Sequence, residues 1–158
     1  MGLFHSKRKA NDPKALTKTL ELCFCIPIAK VVYVLVKARV PDIIEEHGGS
    51  MRTEDIAREG GFKNVDVAYR LLRAAEALDL FRLNRKTQEW SNSEEAKMMV
   101  EGHPGSSTSL IRHVLHESYL GYINLDKAAL DGTSEESISS FEIFSGGVPY
   151  WEWLDSLE

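Results

Sequence analysis

Residues 50–91 constrain this chain more than any other stretch, because they write a helix, a glycine turn, a longer amphipathic helix and a hairpin in that order. Thr53 precedes Glu54 to Glu59, where its hydroxyl can accept a free amide of the first turn, and Gly60-Gly61 supplies the stop. From Asn64 onward Ala68, Leu71, Leu72, Ala75 and Leu78 recur at helical spacing. Asp66, Arg70, Arg73, Glu76 and Asp79 fall mainly on the opposite face, so one side packs and the other is wet. Leu80 to Leu83, Asn84 to Thr87 and Gln88 to Ser91 then read as strand, polar turn and strand. Together these predict a winged helix, a module that serves either to bind DNA or as an assembly platform.

Charge weighs against DNA. The 158 residues carry a formal net charge of −5, so the molecule has no long-range attraction to phosphate and would need a local basic patch. Arg70 and Arg73 share their helix with Asp66, Glu76 and Asp79, which leaves Arg82, Arg85 and Lys86 of the wing as the basic part. Apolar and charged fractions are those of a globular protein with one good core. Cys23 and Cys25, the two cysteines, are two residues apart and badly placed to bridge each other, which argues for reduced thiols and an intracellular setting.

Around this module the chain divides into a flexible basic tail at 1–12, a helical and winged unit at 13–101, and a helical, aromatic segment at 102–158. Asp12-Pro13 suits a first helix start. Ala15 to Cys25 and Ile28 to Ile44 both read as helices separated at Pro27, with a fresh turn from Asp42 to Glu46. The apolar run Cys23 to Val36, interrupted by Pro27 and Lys30, predicts a buried helix in preference to a membrane span or a signal peptide. Ser91 to Glu94 has capping-box spacing and should launch a helix through Val100. Ser106 to Leu130 reads as one further helix ended by Asp131-Gly132.

Catalytic and metal chemistry find little footing. His103, His113 and His116 are the densest set of ligands, but a zinc site needs three or four that converge, and neither cysteine is near them in sequence. No strand-turn-helix context surrounds Ser106, Ser107 or Ser109, and no glycine-rich phosphate loop follows a strand. The N-terminus carries a different signal. Met1-Gly2-Leu3-Phe4-His5-Ser6 fits the myristoylation pattern at Gly2, and Lys7, Arg8 and Lys9 follow as a second membrane signal.

Several phrases carry a family resemblance. "VLVKARVPDII" at 34–44, "RTEDIAREGG" at 52–61, "YRLLRAAEALDLF" at 69–81 and "EWSNSEEAKMM" at 89–99 resemble the N-terminal dimerisation domain of O-methyltransferases that include acetylserotonin and plant caffeate-type enzymes. "SLIRHVLHESYLGYINLDKAALDG" and "FEIFSGGVPYWEWLDS" resemble the helix after the wing and the aromatic segment before the family's catalytic domain, although Ile123-Asn124 stands where the family often has tryptophan. The resemblance implies a mainly α fold: a winged helix-turn-helix with a small β-hairpin wing, plus further helices that interlock with a second subunit in a homodimer.

It also implies that side chains of this domain reach the rim of the partner's substrate pocket. By position these are Tyr119, Phe144 and Trp151, with aromatic core packing as the other reading of the same residues. The family's S-adenosylmethionine loop and catalytic histidine belong to a following domain that these residues do not write. The chain is therefore expected to hold no cofactor and to have no methyl transfer alone, S-adenosylmethionine being implied for a full-length member. Two further readings stay beside this one: a winged-helix DNA-binding regulator, and a lipid-anchored interaction module in the cytoplasm and partly at membranes.

Overall fold

A computed structural model describes residues 12–130 and 139–157. The myristoylation motif at Gly2, the basic residues Lys7, Arg8 and Lys9, and the Asp131-Gly132 stop lie outside the described residues. The molecule is mainly helical, with one small sheet.

Its first element corrects the sequence expectation twice. Helix α1 runs unbroken from Pro13 to Lys37, through Pro27, after Asp12 caps it by accepting the Lys14 amide at 3.0 Å. Proline removes one ladder bond, yet the carbonyl it orphans belongs to the exposed Cys23, where water can take its place. Nor is α1 a buried helix. Only Leu35 and Val36, at its C-terminal end, enter the core, whereas Leu22 is 63% and Phe24 56% exposed. One 18-residue window of α1 has a mean hydropathy of 2.0 and is 11% buried, so by length and composition alone it could cross a membrane.

Arg39, in the left-handed region at φ 55°, turns the chain into α2 (Val40–Glu46), whose residues Val40 to Ile44 are all buried. Strand β1 (Met51–Arg52) is too short to show any alternation and escaped the sequence reading. Helix α3 (Thr53–Glu59) begins one residue earlier than expected. Thr53 is not its cap: the side chain is buried and accepts the Trp90 indole N–H at 2.9 Å. A fully buried indole donor needs a partner, and that need takes the hydroxyl inward. Helix α4 (Val65–Glu76) starts as written, with Asn64 accepting the Asp66 amide at 2.9 Å, and buries Ala68, Leu72 and Ala75. It ends before Leu78, which is half-buried.

The wing is β2 (Phe81–Asn84) and β3 (Glu89–Asn92), one residue later than the alternation predicted. Asn84 closes its turn by accepting the Lys86 amide at 3.0 Å. The antiparallel order is β1-β3-β2, with Met51 opposite Trp90 and Phe81 opposite Asn92. Trp90 and Phe81 anchor a core completed by Leu35, Val40, Ile44, Ile56 and Leu72. Asn92 ties the wing to α2 by donating to the Pro41 carbonyl at 2.8 Å and to Glu45 at 2.9 Å. Ser93 caps α5 (Glu94–Lys97), which stops short of the predicted Val100.

The single helix expected from Ser106 to Leu130 is four pieces. They are α6 (Thr108–Arg112), a π-helical turn (His113–Glu117), α7 (Ser118–Tyr122) and α8 (Leu125–Leu130). Helix α9 (Ser140–Ser145) opens on a reciprocal capping box between Ser139 and Glu142, and α10 (Tyr150–Asp155) follows. Buried Phe141 packs on Gly121, where an added Cβ would come within 3.4 Å of the ring.

Candidate functional site

Three regions bear on function. The first is an open apolar groove of about 550 Å³ between α1 and the end of α4, lined by Leu20, Phe24, Pro27, Ile28 and Val31 on one side and Ala74 and Leu78 on the other. Leu16, one turn before Leu20, extends this wall, while exposed Leu22 and Ile26 lie on the opposite side of α1. A contiguous apolar surface of this kind marks an interaction site more often than free solvent contact. Cys23 and Cys25 are free and exposed on the same helix, pointing about 200° apart around it.

The second is the face a winged helix would offer to DNA. Three of its arginines already face carboxylates, two of them sharing Glu76. Arg70 pairs with Asp66 at 2.6 Å, Arg73 pairs with Glu76, and Arg85 of the wing reaches the same Glu76 at 3.1 Å. Phosphate would have to displace these carboxylates before any base was read.

The third lies where the last turns of α1 meet the π-helical turn. Lys30 donates from Nζ to the Leu115 carbonyl at 2.6 Å and stands 3.7 Å from the centroid of the Tyr119 ring. Partial burial lowers its pKa below the usual lysine range. Tyr33, one turn on, stacks on His116 with centroids 5.7 Å apart and planes 4° from parallel. His113 turns the other way, meeting Ser118 Oγ at 3.3 Å through Nε2 and the Tyr150 hydroxyl at 3.2 Å through Nδ1. The two histidines turn to different aromatic partners, although the Glu117 carboxylate lies within 3.9 Å of His113 and 3.5 Å of His116. Among the described residues no group of three or more His, Cys, Asp or Glu side chains could hold a metal.

The three rim residues named from the sequence do not share one environment. Tyr119 is half-buried against α1 beneath Lys30. Phe144 sits in an aromatic cluster with Phe141 and Trp153, at 5.6 and 6.2 Å, and is 38% exposed. Trp151 is 71% exposed and meets Tyr150 edge-on at 5.0 Å. Core packing thus accounts for part of Phe144 and little of Trp151. Lys30 and Tyr33, one turn apart on α1, were missed as partners of residues 115–119, since no sequence spacing links two segments some 85 residues apart. A charged Lys30 inside an apolar run was the one available signal.

A family model for the O-methyltransferase dimerisation domain matches residues 20–102, more than half of the chain. No curated protein matches the sequence significantly. Among solved structures, the N,N-8-amino-8-demethyl-D-riboflavin dimethyltransferase of Streptomyces davawensis superposes with a TM-score of 0.75 at 20% identity, over 89% of this chain and 39% of its own. Human N-acetylserotonin methyltransferase, solved with S-adenosylmethionine, gives a TM-score of 0.75 at 18% identity, over 99% of this chain and 42% of its own. An O-methyltransferase from neocarzinostatin biosynthesis gives 0.69 at 21% identity, covering 87% and 43%. Such identities carry the fold, and the chain spans about two-fifths of the length of these enzymes. The winged helix, its three-stranded sheet and the matched residues agree: this chain belongs to the O-methyltransferase dimerisation-domain family.

Proposed function

We propose that this chain is the dimerisation and substrate-pocket-capping half of an S-adenosylmethionine-dependent O-methyltransferase, acting as a homodimer. The observation that carries the reading is α1. It is long and apolar and largely uncovered by its own chain, in a protein whose family is defined by dimerisation. Water-exposed leucine, isoleucine and phenylalanine at this density are stabilised by a second copy, and a two-fold arrangement would bury the same face from both sides. Tyr119, Phe144 and Trp151 are the side chains proposed to reach the rim of an acceptor pocket. Methyl transfer itself needs a held sulfonium donor and an aligned acceptor oxygen, and the 158 residues contain no strand, glycine loop and helix unit for the donor.

Sedimentation equilibrium at micromolar concentration tests the dimer, and a monomer at high concentration overturns the reading. Calorimetric titration of the 158-residue chain with S-adenosylmethionine is expected to give dilution heat alone. Saturable binding at micromolar donor would overturn that division of labour. The paired arginines of α4 and the wing give the DNA-regulator reading no support.

A further inference from the structure

Among the described residues the His113–Glu117 turn departs from α geometry, and it lies against Lys30, a half-buried charge on α1. Ser118 N–H bonds to the His113 carbonyl, five residues back, so one extra residue is accommodated in a turn of otherwise α-helical chain. Such a turn costs backbone regularity and persists where neighbours hold it, often at functional sites. Here the neighbour is visible. The Lys30 ammonium donates into the turn at Leu115 and lies over the ring of Tyr119, while Tyr33 stacks on His116 within the turn. Three contacts from two residues, one helical turn apart on α1, grip both the turn and Tyr119, two residues beyond it.

We propose that Lys30 and Tyr33 are positioning residues that hold the His113–Glu117 turn in its π-helical form and thereby set the direction in which Tyr119 points. The inference rests on reading Tyr119 as a pocket-rim residue; the clamp itself is a contact within one chain. Closing the turn to α geometry would rotate every later side chain of α7 by roughly 100° about the helix axis. Tyr119 would leave Lys30, and Gly121 would lose its place against Phe141. The ammonium is suited to this task because it supplies a strong donor to a carbonyl and an attraction to a ring face together. A neutral side chain of the same length supplies neither.

The test uses the whole 158-residue chain. In Lys30→Met, amide hydrogen exchange across 113–122 is expected to accelerate by about tenfold or more, from loss of a charge-assisted bond and a cation–π contact. Exchange across 51–92 should stay at the wild-type rate, and Lys30→Arg should recover most of the protection at 113–122. Unchanged exchange in Lys30→Met, uniform acceleration over the chain, or failure of arginine to rescue would each overturn the clamp. A second measurement needs no destabilised variant. With labelled lysine, the Lys30 ε-protons should resonate upfield of the other lysines under the Tyr119 ring current, and return to the common position in Tyr119→Leu. An unshifted Lys30 in the wild type would also overturn it. Sedimentation of the wild type judges the dimer separately, so failure of the clamp and failure of the dimer reading remain distinguishable.

Discussion

Phe24→Ala probes the apolar face of α1 with the least collateral damage. Phe24 lies in the middle of the exposed stretch, 56% exposed, and lines the groove towards Ala74 and Leu78. Complete burial of a phenylalanine side chain is worth about 1.5–3 kcal/mol, so the part still facing water corresponds to roughly 1–1.5 kcal/mol if a partner covers it. A two-fold dimer uses the position twice, which brings the loss on truncation to about 2–3 kcal/mol, or roughly 30- to 150-fold in the dissociation constant. Alanine is the best helix former, so α1 itself should not weaken. A sedimentation or dilution series on wild type and variant reads the change directly. A dissociation constant within about threefold of wild type would refute the idea that this face meets the second copy. So would a loss of thermal stability measured where both proteins are monomeric, since that would make Phe24 a residue of its own chain's core.

Other consequences follow from individual contacts. Thr53→Val leaves the Trp90 indole N–H buried without its acceptor and should lower urea-unfolding stability by about 1–3 kcal/mol; an unchanged midpoint would refute the bond. Binding to duplex DNA should disappear as salt reaches physiological levels, because Arg82, Arg85 and Lys86 of the wing offer only a few electrostatic phosphate contacts, and sequence-selective binding that survives would reverse the reading. Gly2 is proposed to accept a myristoyl chain in a eukaryotic cell, dividing the protein between cytosol and membrane, with Lys7, Arg8 and Lys9 each adding about 1 kcal/mol against anionic lipid. Gly2→Ala should abolish membrane recovery, and an unmodified intact mass after exposure to the myristoylating enzyme would remove the proposal.

The winged module was legible because its signals are local. The helix expected from Asn64 onward is there, and Ala68, Leu72 and Ala75 face the core at the spacing that predicted them. Thr53 misled for an equally physical reason: the residue type suited to a helix cap also suited a buried indole 37 positions away, and the distant partner won. The sheet's third strand was invisible, since two residues carry no period and β1 exists only by pairing with β3. Ser106 to Leu130 looked like one helix because its apolar spacing averages to a helical period. The π turn steps the phase of the later apolar positions by roughly 100°, and averaging over the whole segment hides that step.

Helix α1 shows where sequence reasoning reaches its boundary. Pattern and composition predicted that Cys23 to Val36 is a buried helix, and the structure leaves most of it exposed. Hydrophobic burial is non-directional, so the chain's own core, a lipid bilayer and a second copy remove the same area, and an apolar pattern does not choose among them. The structure separates the first from the others: the core of this chain is filled by Trp90, Phe81 and their neighbours, and of α1 it buries only Leu35 and Val36, with Val31 packed against its edge. From Lys30 onward the same helix turns to its own chain, reaching Leu115, Tyr119 and His116. One continuous rod therefore carries an unfilled apolar face at one end and the contacts to Tyr119 at the other.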